Sequence, residues 1–323
     1  MNRVAIIGAG QLGSRHLQGL LKSKSEQVIY VLDPSESSLK ISRNRAQEIK
    51  NNHNLLFITD WNKLPNYLDL VIVSTGANVR SKVVSKLLTD FKVKNLILEK
   101  VLFQDLKSYS EINNLINKTK TPTWVNHPRR MFNHYQEIKK IISKDEEKVS
   151  FQVYGGNWGL ACNGLHFIDL FSFLSNSEVK HINFDQVEKV VDSKRLNNIE
   201  FIGSITGEFK NGSDFSISSL NGSISDLTVC VFTKSNRWII QEGVAQKVIH
   251  LSNENNFNET ITTFESEFQS SLTTIILNDL LAEQELDLPT YNQACSSHIP
   301  FIKSALNAYT RITGINTSII PIT

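Results

Sequence analysis

The chain has 323 residues, of which 40% are hydrophobic and 20% charged, and its formal net charge is +2. This composition is ordinary for a globular protein, and the length suits two domains with separate cores. The near-neutral charge argues against nucleic acid or an anionic membrane as a partner. No apolar run is long enough to cross a membrane, so we expect no membrane anchoring.

The three cysteines, Cys162, Cys230 and Cys295, are sparse and show no paired spacing. Such usage argues against a disulfide framework and against a zinc site, so we expect no metal centre and a reducing, cytoplasmic location. The first apolar run, Val4–Ile7, is too short for the hydrophobic region of a secretion signal.

Residues 1 to about 120 alternate short apolar runs with amphipathic stretches. The runs predict strands, namely Val4–Ile7, Val28–Leu32, Leu70–Val73 and Leu96–Leu98, with helices over Gln11–Lys22 and Asn78–Leu88 between them. Strands this short, branched and apolar are typical of a sheet buried on both faces. The alternation therefore predicts an α/β domain with a parallel sheet over residues 1–121.

After Pro122 the pattern changes. Val149–Tyr154 predicts a strand, and a short apolar helix, Phe167–Leu174, follows a glycine-rich loop. Further strands are predicted at Glu200–Phe209, Asp214–Leu220, Leu227–Phe232, Arg237–Gln241 and Lys247–Leu251, with turns at the Asn-Gly pairs 211–212 and 221–222. Helices at about Thr263–Glu283 and His298–Ile312 close the chain. We predict an α+β domain with a mostly antiparallel sheet over residues 122–323.

The clearest motif is the segment Gly8-Ala9-Gly10-Gln11-Leu12-Gly13, which directly follows the first strand. In a dinucleotide-binding loop, Gly8 would permit the tight turn, Gly10 would let the backbone approach a pyrophosphate, and Gly13 would allow close packing of helix on strand. We expect the whole loop, with Gln11 and Leu12, to contact the cofactor. A glycine turn in another α/β fold is the alternative.

Asp33 closes the second predicted strand, where a carboxylate meets the ribose hydroxyls of a dinucleotide. The next residues, Pro34-Ser35-Glu36, offer no cation for a 2′-phosphate, and two carboxylates would repel it. NAD is therefore favoured over NADP. NADP stays open because Lys40 and Arg43 lie further along the next helix.

Five motifs in order carry a family resemblance. They are the glycine loop continued as Ser14-Arg15-His16, then Ser74-Thr75-Gly76, Glu99-Lys100-Val101, Arg129-Arg130 with Tyr135, and Cys162-Asn163-Gly164-Leu165-His166 followed by Asp169. Together they resemble the Gfo/Idh/MocA family of sugar and cyclitol dehydrogenases. That family usually has Glu-Lys-Pro in the third motif and Asp-x-Gly-x-His-x-x-Asp in the fifth.

The resemblance implies a Rossmann domain followed by a domain with an open antiparallel sheet, which commonly mediates homodimers or homotetramers. It also implies a small-molecule, sugar-type substrate in a cleft between the domains, with nicotinamide on one wall. Four residues are expected on the cofactor side, namely Ser74, Thr75, Glu99 and Lys100.

His166 and Lys100 are the expected catalytic residues. Oxidation of a secondary alcohol needs a base, and His166 is placed at the start of the predicted helix Phe167–Leu174, where the helix N-terminus would keep it neutral. A capping or packed histidine is the alternative. Lys100 ends a buried strand at the edge where ligands bind, and would hold the reacting oxygen. A solvated Glu-Lys pair is the alternative there.

The candidate substrate residues are Asn126, Arg130, Cys162, Asn163 and Asp169, with His127 and His298 as weaker candidates. Asp169, three residues after His166, would orient that histidine, bond the substrate or bond neighbouring backbone. The others would line the sugar cleft or, as charged residues of a junction loop often do, face solvent.

Four positions depart from the family pattern, namely Gly76, Arg80, Val101 and Cys162, and the last three bear on function. Cys162 replaces a carboxylate with a thiol, a poor acceptor, which predicts an unusual substrate hydroxyl pattern or weaker catalysis. Val101 replaces a proline, and since a cis bond before valine costs about 2.5–4 kcal/mol, a trans Lys100–Val101 peptide is predicted. Arg80 is expected either to supply a cation for an anionic substrate or to be exposed.

The favoured function is an NAD-dependent oxidoreductase acting on a secondary hydroxyl or keto group of a sugar or sugar derivative. The alternative is a non-catalytic dinucleotide-binding sensor or regulator of the same fold, which the thiol at Cys162 keeps open. Reduction of an imine or another non-sugar substrate is a third possibility.

Overall fold

A six-stranded parallel sheet forms the centre of the first of two units. The computed structural model describes residues 1–145, 148–222 and 226–323, and the first unit takes in residues 1–103, 107–128 and 267–292. Its strands are β1 (Asn2–Ile7), β2 (Gln27–Leu32), β3 (Asn54–Ile58), β4 (Tyr67–Leu68), β5 (Leu70–Val73), β6 (Lys92–Val93), β7 (Leu96–Glu99) and β8 (Thr123–Asn126). The order β3-β2-β1-β5-β7-β8 makes the main sheet, and β4 pairs with β6.

The central strands follow from their composition. All side chains of β5 and β7 are buried, as are the last four of β1, and runs this apolar are stable only between two covered faces. The helices are α1 (Gln11–Leu20), α2 (Glu36–Gln47), α3 (Ala77–Asp90) and α4 (Leu106–Thr119). The predicted Rossmann-type parallel sheet is confirmed; β3 and β8 had not been predicted.

A late helix, α7 (Gln269–Leu281), also belongs to the first unit and packs on α1. Gly19 lets the two helices approach, because a Cβ at that position would collide with the Ser270 carbonyl and with Thr273. The Thr274 hydroxyl donates to the Gly19 carbonyl at 2.8 Å. The first unit thus departs from the expected span 1–121, because β8 pairs with β7 and the segment 267–292 returns to it.

The second unit takes in residues 104–106, 129–266 and 293–323, and its described part contains a mixed nine-stranded sheet. The strands are β9 (Ser150–Gly156), β10 (Val179–Asn183), β11 (Val187–Asp192), β12 (Ile199–Phe209), β13 (Asp214–Leu220), β14 (Thr228–Phe232), β15 (Asn236–Gln241), β16 (Lys247–Ser252) and β17 (Glu259–Thr263). The order is β10-β12-β13-β9-β14-β15-β16-β17, with β11 on β12. Only β13 and β9 pair in parallel among these, so the mostly antiparallel sheet is confirmed.

Helix α6 (Leu160–Ser175) lies on one face of this sheet, with α5 (Asn133–Asp145) beside it. Aromatic rings fill the contact: Phe171 of α6 stacks on Phe151 of β9 with centroids 4.4 Å apart. The last helix, α8 (Tyr291–Thr313), begins before its predicted start at His298 and passes through Pro300. Burial of Ala294, His298 and Phe301 at helical spacing explains why packing outweighs the proline.

Across the described residues, no helix combines the length and apolar character needed to span a membrane.

Candidate functional site

The glycine loop between β1 and α1 has the backbone geometry that its glycines predict. Gly8 has a φ of +100°, and a Cβ there would lie 2.9 Å from the Thr75 amide nitrogen. A Cβ at Gly13 would overlap the Gly8 carbonyl oxygen. Gly10, by contrast, faces open space, with nothing within 4 Å of a Cβ placed on it. Two glycines are therefore needed for packing, and the third leaves room for a ligand.

The carbonyl groups of the loop are held by the protein itself. The hydroxyls of Ser74, Ser42 and Ser14 donate to the carbonyls of Gly8 (2.7 Å), Ala9 (2.9 Å) and Gly10 (2.8 Å), and Arg45 donates to that of Gln11 (2.7 Å). Arg45 also bonds the Gln11 side chain. Neither Ser42 nor Arg45, both on α2, had been predicted near the loop.

The amide groups at the start of α1 are arranged differently. Its N-cap, Gly10, has no side chain to cap the helix. Within the described chain, no group accepts a hydrogen bond from the N–H groups of residues 10–13. The first amides of a helix attract anions because they lack internal partners and carry the positive end of the helix dipole. This open, amide-lined turn fits the pyrophosphate of a dinucleotide.

Asp33 closes β2 beside the loop, as predicted. Its carboxylate accepts hydrogen bonds from the amides of Ala9 (2.7 Å) and Ser35 (2.8 Å). Ser35 in turn caps α2 by accepting from the Ser38 amide. Asp33 is partly exposed, and a carboxylate offers about four acceptor positions, so these two bonds leave capacity for ribose hydroxyls.

Glu99, at the end of β7, is 2% exposed and lies in a buried polar network. Its Oε1 is 2.8 Å from His16 Nε2, and the Asn126 amide donates to the same atom. Burial alone would raise the pKa of Glu99, but the hydrogen bonds and charges of His16, with help from Asn126 and Arg80, outweigh burial and hold it below its usual value.

The same network ties α7 to the sheet. The Asn126 side chain also donates to Gln269, and Gln269 donates to Thr273, whose hydroxyl is 2.8 Å from His16 Nδ1. Glu99 is expected to contact the cofactor and Asn126 the substrate. Both lie in one network, which links β7 and β8 to helices α1 and α7 around the Glu99 carboxylate.

Lys100 follows Glu99 at the carboxyl end of β7 and is partly exposed. Ser74 and Thr75 directly follow the neighbouring parallel strand β5, so the residues expected on the cofactor side share one edge of the sheet. The predicted trans peptide after Lys100 is wrong: the Lys100–Val101 bond is cis. The prediction considered only the intrinsic preference of the peptide and not its surroundings.

Arg80 is 2% exposed, so the expected exposed position is wrong. Its guanidinium donates to the carbonyls of Thr75, Val101 and Leu102. These bonds fasten the segments that follow β5 and β7.

In the second unit, His166 does not begin a helix. Helix α6 starts at Leu160, so His166 lies in its second turn, and the argument that the helix N-terminus keeps it neutral does not apply. The apolar run used for the prediction contained no polar capping residue. The cap is remote instead: Glu200 accepts from the amides of Ala161 (2.7 Å) and Cys162 (3.4 Å).

Asp169 is buried and forms a two-pronged ion pair with Arg130, with contacts of 2.6 and 2.7 Å. Burial raises the pKa of Asp169, and the Arg130 guanidinium opposes that rise. The two candidates for substrate binding thus bind each other. His298 is fully buried within α8, and His127 is fully buried in the first unit, so neither faces solvent.

A cavity of about 600 Å³ lies beside the N-terminus of α6. Cys162 and Asn163 line it, as do Trp158, Arg195, Glu200 and Ser219. The Asn163 amide donates to the Trp158 carbonyl at 2.6 Å. Glu200 and Ser219, on β12 and β13, had not been predicted, because alternation along a strand indicates only which face a residue occupies.

Comparisons with known proteins agree with this geometry. The family model GFO_IDH_MocA, described as an oxidoreductase family with an NAD-binding Rossmann fold, matches residues 2–127. A comparison with curated protein sequences finds no match.

Solved structures share the fold over nearly the whole chain. A Saccharomyces cerevisiae Gal80p super-repressor mutant is 14% identical, with 96% of each chain covered and a TM-score of 0.74. An Agrobacterium radiobacter oxidoreductase solved with NAD+, L-tartaric acid and magnesium is 13% identical, with 98% of each covered and a TM-score of 0.69. The UDP-N-acetylglucosamine 3-dehydrogenase GnnA of Acidithiobacillus ferrooxidans is 12% identical, covering 98% of this chain and 99% of GnnA, with a TM-score of 0.68.

At these identities the structures show a common fold only, whereas the family model covers the glycine loop, Asp33, Glu99 and Lys100. Residues 2–127 therefore form an NAD-binding Rossmann domain of the kind found in the Gfo/Idh/MocA family of oxidoreductases.

Proposed function

We propose that the chain is an NAD-dependent dehydrogenase or reductase that acts on a secondary hydroxyl or keto group of a sugar or sugar derivative. The observation that carries the proposal is the amide-lined turn at Gly10, with Asp33 beside it and Lys100 at the same edge of the sheet. Relatives in fold include a sugar-nucleotide dehydrogenase, which supports a sugar-type substrate.

NAD, when bound, supplies the acceptor or donor of a hydride. The loop amides of residues 10–13 hold its phosphates, and Asp33 accepts from a ribose hydroxyl. Lys100 donates a hydrogen bond to the reacting oxygen of the substrate and so keeps the reacting carbon in position. His166 accepts the hydroxyl proton during oxidation and returns it during reduction, acting as general base and general acid.

In this proposal NAD is preferred over NADP because the two arginines of α2 nearest to Asp33 in sequence, Arg43 and Arg45, already have partners. Arg43 lies over the Phe57 ring, 5.1 Å from its centroid, and pairs with Glu36 at 3.4 Å. Arg45 is bound to Gln11. A 2′-phosphate would therefore meet the Asp33 carboxylate before it met an available guanidinium.

A second candidate is a non-catalytic regulator that binds a dinucleotide and a sugar. Two observations favour it: a thiol, Cys162, lines the cavity beside α6, and the chain shares its fold with a repressor, Gal80p. Binding of NAD without turnover of any sugar in a broad panel would select this candidate over the enzyme.

We further propose that the chain forms a homodimer or homotetramer through the face of the nine-stranded sheet opposite α6. Cys230, Ile239, Ile249 and Ile261 stand in register across β14–β17 as a row of apolar side chains, and Ile261 is 56% exposed.

Sedimentation velocity should give a mass of two or four times 36.5 kDa, and Ile261→Lys should reduce it. Ile275→Lys, at a 46% exposed site on α7, is the matched control. A monomeric wild type contradicts the proposal.

Asp33→Ala tests the cofactor assignment. Loss of a charge-assisted hydrogen bond to the ribose should weaken NAD+ binding by about tenfold or more and weaken NADP+ binding less. Isothermal titration calorimetry measures both dissociation constants, and Asp90→Ala, which removes an exposed carboxylate at the end of α3, is the control. A larger loss for NADP+ than for NAD+ refutes the ribose role.

Lys100→Met and His166→Asn test the chemistry. Each should lower kcat by about 10²–10⁴-fold while NAD+ still binds, because the changes remove the groups that hold and deprotonate the alcohol. Formation of NADH at 340 nm across sugars, sugar acids and nucleotide sugars measures turnover. Lys94→Met and His181→Asn alter exposed residues and serve as matched controls. Full activity in either test variant removes that residue from the mechanism.

A further inference from the structure

The cavity beside α6 has the size of a small-molecule site. Its volume of about 600 Å³ falls within the usual range of ligand pockets. Its walls come from the N-terminus of α6, the segment joining β11 to β12, and the ends of β12 and β13. All of these elements lie in the second unit, so the cavity is a property of that unit alone.

Ser219 points to a ligand with hydrogen-bonding groups. It is 1% exposed and lines the cavity, and its hydroxyl has no hydrogen-bond partner among the described residues. A buried hydroxyl left unpaired destabilises a fold, so such groups are rare unless something else completes them. Its neighbour Ser218 is different: that hydroxyl lies 2.7 Å from the Ser204 hydroxyl.

Glu200 supplies the complementary acceptor. Its carboxylate is fixed at the first turn of α6 because it accepts hydrogen bonds from the amides of Ala161 and Cys162. Each carboxylate oxygen accepts more than one hydrogen bond, so the anchored group can also accept from a ligand hydroxyl. The arrangement therefore places a fixed anion and a buried hydroxyl in one cavity.

The remaining lining favours a carbohydrate over a strongly charged or purely apolar ligand. Trp158 contributes an indole ring that is held edge-on to Phe167, with centroids 5.4 Å apart, and its N–H donates to the Ser218 carbonyl. Lys194 and Arg195 are offset by Asp192 and Glu200. An aromatic surface combined with fixed donors and acceptors suits a polyhydroxylated ring.

We infer that this cavity binds the hydroxyl groups of a carbohydrate and that Ser219 and Glu200 determine which carbohydrate is accepted. Cys162 lines the cavity one helical turn before His166 on α6, so a sugar held there extends along the face that carries the histidine. The binding site stands independently; only the statement that its sugar is the substrate rests on the proposed function.

The test uses the full chain, with and without NAD+. Saturation-transfer NMR and calorimetry are applied to D-glucose, D-glucuronate, myo-inositol, N-acetylglucosamine and UDP-N-acetylglucosamine. For the best binder, Ser219→Ala and Glu200→Gln should each raise the dissociation constant by about 5–20-fold, as loss of one buried hydrogen bond does. Ser218→Ala should change it less than about twofold, and NAD+ binding should be unchanged in all three variants.

A second readout separates ligand recognition from a structural role. Since the Ser219 hydroxyl has no partner in the described chain, Ser219→Ala should keep or raise the melting temperature without sugar, yet abolish most of the stabilisation by sugar. A lower melting temperature in Ser219→Ala, with unchanged sugar affinity, shows that the hydroxyl serves the fold and overturns the inference.

The remaining outcomes are also distinct. Failure of every sugar to bind at millimolar concentration overturns the inference. Sugar binding that both variants weaken, but without any NADH formation, supports the site and contradicts the proposed dehydrogenase. Turnover whose KM is the same in wild type, Ser219→Ala and Glu200→Gln supports the dehydrogenase and overturns the site.

Discussion

The structure depends on how the backbone polar groups of the glycine loop are shared between the protein and a ligand. Buried carbonyl and amide groups must find partners, and here the carbonyls of residues 8–11 find them in side chains of the first unit. The amides of residues 10–13 are left at the open end of α1. The loop is thus organised before any cofactor binds, with its donors directed to one side, which lowers the entropic cost of binding a phosphate.

The buried network around Glu99 organises the end of β7 in a similar way, at the same edge of the sheet as the glycine loop. A buried carboxylate is tolerated only when its charge is paired and hydrogen-bonded, and Glu99 meets that condition through His16 of α1 and Asn126 of β8. Because Gln269 and Thr273 complete the network, a helix far along the chain becomes part of the first unit. Glu99 is therefore a structural anchor for the strand end that carries Lys100.

The sequence allowed the α/β and α+β units and the glycine loop to be predicted, because periodicity and glycine spacing are local signals. The hydrogen-bond partners that lie far away in sequence leave no such local signal. Ser42 and Arg45 reach the loop from α2, and Glu200 caps α6 from a position 39 residues after Ala161. Helix α6 was therefore predicted several residues too short, and His166 was given a helix-end environment that it does not have.

The central claim, that the amides at the start of α1 receive the phosphates of NAD, is tested most directly by amide NMR. In a ¹H–¹⁵N TROSY titration with NAD+, the account predicts the largest shifts at Gly10, Gln11, Leu12 and Gly13, with saturation at one NAD+ per chain. The amide of Ala9, already bonded to Asp33, should move less than these four. Saturable binding of NAD+ that leaves those four amides unshifted would contradict the account.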